Sequence, residues 1–122
     1  MKSDLIEIRA FDVVIIGAGT AGISVATSLL KRAPHLHIAL VDPSSTHDYQ
    51  AAWTLVGAGE YQQTHTRKPM VQVIPKGVEW IQKPVLSFQP DENKATLADG
   101  SAVTYEQLVV CPGLKLNWDA IE

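Results

Sequence analysis

Apolar and polar positions fall into segments whose period changes along the chain. The run Phe11-Asp12-Val13-Val14-Ile15-Ile16 is almost continuously apolar, the pattern of a strand covered on both faces of a parallel sheet. Over residues 22–33 the period lengthens. Ile23, Ala26, Leu29 and Leu30 share one stripe, Lys31 and Arg32 occupy the last turn, and Pro34 stops the helix. A second apolar strand follows at residues 37–41, and residues 78–82 predict a further strand of the same sheet. Three short runs come next, at 85–89, 94–97 and 102–105, with turn signals in Pro90-Asp91-Glu92-Asn93 and Asp99-Gly100. They predict an antiparallel three-stranded β-meander, a flap that provides the crossover back to the main sheet. Leu108-Val109-Val110 then reads as a closing core strand that runs into Cys111-Pro112-Gly113. Residues 43–77 carry the weakest pattern. They predict a long loop with a Gly57-Ala58-Gly59 turn, then a short helix over 66–74 with Pro69 in its first turn.

The strand–helix–strand order makes the chain α/β. At the first junction the turn is Gly17-Ala18-Gly19-Thr20-Ala21-Gly22, a Gly-x-Gly-x-x-Gly spacing between an apolar strand and a helix. The first glycine allows a tight turn, the second a close backbone approach to pyrophosphate, and the third close helix–strand packing. Phosphate then meets the N–H groups and positive end of the helix. Asp42 ends the second strand, twenty positions after Gly22, where a dinucleotide site needs a carboxylate to accept from ribose hydroxyls. A carboxylate there repels a 2′-phosphate, so FAD or NAD is favoured over NADP. The expected fold is therefore a Rossmann-like three-layer dinucleotide-binding fold with a parallel sheet and a meander. It divides into a βαβ unit (11–42), an active-site loop (43–77), a strand with the meander (78–105), and a closing strand with a glycine turn (106–114). Only twelve residues follow Val110, fewer than such a sheet needs to cover both faces, so the fold is expected to be incomplete and the chain one part of a larger enzyme. Such a part is expected to bind its cofactor weakly or to bury an open sheet edge by self-association.

Composition narrows the class. At 122 residues, 46% hydrophobic and 19% charged, the chain suits one globular domain. A net charge of −3 gives no basic footprint for nucleic acid. No apolar run spans a bilayer and no signal peptide is evident, which leads to an expected place in the cytoplasm or on the inner face of the membrane. The four histidines, His35, His37, His47 and His65, have no carboxylate or thiol at ligand spacing and read as solvated, with no metal site. The single cysteine, Cys111, ends a core strand and reads as a packing residue, against the alternative of a thiol active beside a flavin. Tyr49 and Trp53 either flank a flat ring system or simply pack the loop. Arg67 and Lys68 either touch phosphate or start a solvated helix.

The order of these features resembles the N-terminal part of the two-dinucleotide-binding-domain flavoproteins. Tyr105-x-x-Leu108-Val109-Val110-x-Pro112-Gly113 looks like that superfamily's closing-strand motif. Within the superfamily, Tyr49-Gln50-x-x-Trp53-Thr54-Leu55-Val56-Gly57-Ala58-Gly59 and Val73-Ile74-Pro75-x-Gly77-Val78-Glu79-Trp80-Ile81 resemble the sulfide:quinone oxidoreductases. The resemblance implies an FAD enzyme that oxidises sulfide and reduces quinone. It implies that Gly17, Gly19, Thr20, Ala21 and Gly22 hold the pyrophosphate and Asp42 the ribose. Gln50 would contact the flavin nucleotide, and the backbone of Val85 would read adenine. Pro112 and Gly113 would approach the pyrophosphate and ribityl chain, and Tyr49 and Trp53 would border the isoalloxazine. No catalytic residue is assigned within the chain. Two departures stand out. Cys111-Pro112 replaces the superfamily's Ala-Thr, and one cysteine cannot form the internal disulfide that sulfide oxidation in that family requires. The quinone pocket and the segments that associate with a membrane surface would lie beyond this chain. A type II NADH:quinone dehydrogenase, or another pyridine-nucleotide-dependent flavoprotein reductase, would share the same glycines and acid. A non-catalytic nucleotide-binding module is the third reading.

Overall fold

The computed structural model of the chain describes residues 5–121. A six-stranded sheet, ordered β5-β2-β1-β8-β7-β6, is its frame. β1 (Ile8–Ile16) lies near the centre and pairs in parallel with β2 (Ile38–Val41) and β8 (Ala102–Val110). β5 (Val78–Ile81) adds in parallel to β2. β7 (Lys94–Leu97) pairs antiparallel with β8, and β6 (Val85–Gln89) antiparallel with β7. The one acid in the first apolar run is explained locally. Asp12 accepts the His37 N–H at 2.7 Å, and the His37 carbonyl accepts the N–H of Asp12 at 2.9 Å, which pins the entry to β2 against β1.

Side chains from β1 feed two cores, which is why its run from Phe11 to Ile16 is apolar but for Asp12. Val13 and Ile15 point to the side of α1 (Thr20–Arg32), where they meet Ala26, Leu40 and Met70. Phe11, Val14 and Ile16 point the other way, against Ala95, Leu97, Val103 and Tyr105 of the meander strands. Helix, parallel sheet and meander thus form three layers.

The meander differs from a separate flap. Its third run and the closing strand are one nine-residue strand, β8, paired along β1 from Ile8↔Ala102 to Ile16↔Val110. The physical reason is that β1 starts three residues before its apolar run, so that Ile8 to Ala10 offer backbone to Ala102 to Thr104. The two outer strands of the sheet, β5 and β6, are consecutive in sequence and joined by residues 82–84 alone. The sheet therefore curls. Lys83 in that link meets Asp99 of the β7–β8 turn at 2.7 Å, and the Ala98 N–H donates to the Pro84 carbonyl at 2.9 Å.

The other boundary changes lie in the glycine turn and in residues 43–77. α1 begins at Thr20, two residues before the expected start at Gly22, because the turn itself supplies the first helical residues. The helix expected over 66–74 is replaced by a 3₁₀ turn at Gln63–Thr66, a strand β4 (Arg67–Pro69) and a single helical turn α3 (Met70–Val73). β4 pairs antiparallel with β3 (Thr46–Asp48), and Pro69 precedes α3 in an extended conformation. Between them, α2 (Trp53–Gly57) ends in a Schellman arrangement. The Glu60 N–H donates to the Leu55 carbonyl and the Gly59 N–H to the Val56 carbonyl, with Gly59 at φ +78°.

Candidate functional site

The carboxyl ends of β1, β2 and β8 open onto a cleft of about 910 Å³, near the upper end of the range for small-molecule sites. Crevices of this kind form where parallel strands end and their loops diverge. Ala18, Gly19, Thr20 and Ala21 line one wall, Asp42 and Gln50 a second, and Cys111, Pro112 and Gly113 a third.

The glycines divide into two roles. Gly17 and Gly22 are buried and lie away from the cleft lining. A Cβ on Gly17, which sits at φ +101°, would lie 2.1 Å from the Cys111 carbonyl oxygen, and a Cβ on Gly22 would lie 1.8 Å from that of Gly17. These two glycines let the two carboxyl-edge turns and the helix pack together. Gly19 is different. It is exposed, and nothing lies within 4 Å of the Cβ it lacks, so the surface there is open to a close-approaching ligand. α1 starts at this point with no side-chain cap and no acidic residue in its first turn, so its first N–H groups keep their capacity for an anion.

Asp42 is half-buried and already partly engaged. One carboxylate oxygen accepts the Ala18 N–H at 2.8 Å and the other accepts the Ser44 N–H at 2.8 Å. A carboxylate offers about four lone-pair sites, so each oxygen keeps one for an incoming hydroxyl. The Asp42 carbonyl accepts the Trp80 indole N–H at 3.0 Å, which ties the end of β2 to β5. The acid is thereby fixed in place before any ligand arrives.

Some expected residues lie elsewhere. Val85 lines a separate pocket of about 390 Å³, which adjoins the cleft through Asp42, Pro43 and Pro112. Tyr49 lines neither of these spaces. It borders a third cavity of about 320 Å³ on the outer side of α1, and Trp53 begins α2 outside the cleft lining. The curl of the sheet accounts for the first displacement and the β3–β4 ribbon for the other two, since the ribbon turns Tyr49 toward Tyr61, Thr66 and Lys68. Cys111 does line the cleft, with its thiol 3.9 Å from the Gly17 carbonyl and burial holding the thiol above its ordinary pKa. A neutral thiol is a weak nucleophile, in keeping with a packing role.

Three further side chains bear on the lining: the sequence left Arg67 open between a phosphate contact and a solvated helix start, read His47 as solvated, and made no assignment for Lys115. Arg67 of β4 joins the wall through a bidentate pair with Asp48 at 2.7 and 3.1 Å, and that bond together with the Asp48 charge raises its pKa. Lys115 adds a second basic group. His47 is half-buried rather than solvated, and its Nδ1 lies 3.0 Å from the Ala18 carbonyl oxygen. No local pattern places His47 and Arg67 on this wall, because both sit on a ribbon whose strands pair across nineteen or more residues, whereas Lys115 follows the second glycine turn. Among the described residues no group of three or more His, Cys, Asp or Glu side chains is placed to hold a metal ion.

Comparison with known proteins agrees with the geometry. The chain is 37% identical over 112 residues to the mitochondrial sulfide:quinone oxidoreductase of Mus musculus, covering 92% of this chain and 25% of the relative. It is 40% identical over 111 residues to the corresponding protein of Dictyostelium discoideum, covering 90% and 25%. The crystal structure of sulfide:quinone oxidoreductase from Aquifex aeolicus superposes with a TM-score of 0.75 at 29% identity, covering 90% of this chain and 25% of that one. The chain thus spans about a quarter of the length of the relatives it matches. Residues 11–118 match the family described as pyridine nucleotide-disulphide oxidoreductase, and the chain belongs to that family.

Proposed function

We propose that this chain is the part of a sulfide:quinone oxidoreductase-type flavoprotein that grips the adenosine diphosphate half of FAD. The observation that carries the reading is the meeting, in one cleft, of an open Gly19, an uncapped helix start and a pre-fixed Asp42. The residues fit the group. Gly19, Thr20 and Ala21 offer backbone N–H groups to a pyrophosphate, Asp42 keeps a lone pair on each oxygen for ribose hydroxyls, and no acid in the first helical turn repels the phosphates. Gly17 and Gly22 serve indirectly, by bringing the turns close enough for these groups to converge. Pro112 and Gly113 would cover the pyrophosphate from the second turn, and Gln50 would meet the flavin-side nucleotide. Val85 would serve adenine from the adjoining pocket, which shares Asp42 with the cleft.

Bound FAD would accept electrons from sulfide and deliver them to quinone. The protein residues do not perform that chemistry; they orient the cofactor and set its surroundings. The thiols for the sulfide step are not supplied here, because Cys111 is the only cysteine of the chain. Sulfide, quinone and a membrane surface are proposed as partners of the longer protein. Among the described residues no helix is long and apolar enough to cross a membrane.

Anaerobic titration of the full-length protein with sulfide, followed by flavin absorbance, tests the reading. Bleaching by sulfide and recovery on adding quinone is the expected result. Bleaching by NADH and not by sulfide would assign the chain to a pyridine-nucleotide-dependent reductase instead. Absence of any flavin spectrum would leave a nucleotide-binding module without this activity.

A further inference from the structure

The Ala18 residue sits between two side chains from later strands. Its N–H donates to Asp42 at the end of β2, and its carbonyl lies 3.0 Å from Nδ1 of His47 on β3. A carbonyl only accepts, so His47 must carry its proton on Nδ1 to make this bond. His47 borders both the cleft and the neighbouring cavity along α1, and so stands in the wall between them. On its ribbon the residue opposite is Lys68, and the adjacent Asp48 is occupied by Arg67. Among the described bonds, the Ala18 carbonyl is the one polar partner of the His47 ring.

We propose that His47 is a positioning residue for the dinucleotide pyrophosphate, acting through the Ala18–Gly19 peptide rather than by touching the ligand. The carbonyl and N–H of a trans peptide point in opposite directions, so holding the Ala18 oxygen also fixes the direction of the Gly19 N–H. Gly19 has no side chain to restrain it and nothing packed where a Cβ would be. Its peptide is therefore the one in the turn with most freedom to rotate, since glycine populates conformations closed to other residues. Asp42 restrains the peptide before Ala18, and His47 restrains the peptide after it. Fixing both in advance removes an ordering cost that the ligand would otherwise bear on binding. The inference rests on the dinucleotide reading and goes beyond it, because it assigns a function to a side chain in the region with least regular structure.

The test is ADP binding by the full chain, with adenosine as the probe that lacks phosphate, measured by calorimetry on wild type and three variants. Asn carries an amide nitrogen at nearly the place of histidine Nδ1, whereas Gln carries one nearer Nε2. His47→Asn is expected to keep ADP affinity within about twofold. His47→Ala and His47→Gln are expected to weaken ADP by about two- to tenfold, the range a neutral hydrogen bond contributes. Adenosine affinity is expected to be unchanged in all three, a pattern that general loosening of the ribbon would not produce. Should His47→Ala be poorly folded, the Asn and Gln pair decides the matter alone. Equal ADP binding by wild type and the Gln variant, or equal losses for ADP and adenosine, overturns the inference and leaves the dinucleotide reading standing. Failure of the wild-type chain to bind ADP overturns both.

Discussion

Residues 8–42 and residues 43–77 face each other across the cleft and are held by different means. In the first region β1 is paired along both edges, and Val14, Ile15, Ile38, Ala39 and Leu40 are completely shielded from water. In the second, Ala52, Thr66 and Met70 are the buried side chains, and the regular structure is a three-residue ribbon with two short helices. The first region presents backbone to the cleft: the Gly19 surface and the start of α1. The second presents side chains, Gln50, His47 and Arg67. Backbone N–H groups make a reliable phosphate site only on a frame that does not move, and the sheet provides it. Side chains can be carried on a looser segment, provided a few anchors seat it. Met70 is the main one, 2% exposed within the helix-side core, with its N–H donating to the Ser45 carbonyl at 2.8 Å.

The largest expected effect breaks the first region. Gly22→Ala places a Cβ 1.8 Å from the Gly17 carbonyl oxygen and should destabilise the fold by about 3 kcal/mol, seen as a lower urea midpoint. Gly19→Ala is its control, with no atom in the way; stability should stay within about 0.5 kcal/mol while ADP binding falls. Next comes the anchor of the second region. Met70→Ala should cost about 2 kcal/mol, the lower end for such truncations, because the thin segment above it can settle into the space. Hydrogen exchange in this variant should rise in residues 43–77 before it rises in β1. If both regions open together, the contrast between them is wrong.

The third effect is on binding. Asp42→Asn keeps the shape but replaces a charged acceptor of two backbone N–H bonds, so ADP affinity should drop about tenfold, with little discrimination left against a 2′-phosphate. The smallest effect lies away from both regions, at the β7–β8 turn. Lys83, then the Ser101 hydroxyl and N–H, hold the Asp99 carboxyl well below the usual carboxylate range. A folded-state pKa below the unfolded one adds stability that is fully present above about pH 4 and disappears as pH falls through the lower value. Asp99→Asn should therefore be slightly less stable than wild type at pH 7, and the difference should vanish in strong acid. Both ends of that comparison can be read from thermal melts. The carboxylate is half open to water, so the change in melting temperature should be small.

The amino-acid sequence by itself determined what depends on neighbours close in the chain. The apolar run of β1, the stripe of α1, the glycine spacing and the acid at the end of β2 are readable because strand and helix periods and turn chemistry act over a few residues. The same holds for the turns at Pro90 to Asn93 and at Asp99-Gly100, which separate the meander strands as expected. Tertiary structure decided the rest. Neither Thr46–Asp48 nor Arg67–Pro69 alternates apolar and polar residues, and neither is a strand until the other lies beside it. β8 became one strand only because β1 extended back to Ile8, and the curl of the sheet moved Val85 into its own pocket. The same ribbon took Tyr49 out of the cleft and brought in His47, whose partner carbonyl lies twenty-nine residues earlier. A local pattern records which conformation a segment prefers, but a contact between distant segments depends on where the whole sheet bends, and no single stretch of the chain encodes that bend.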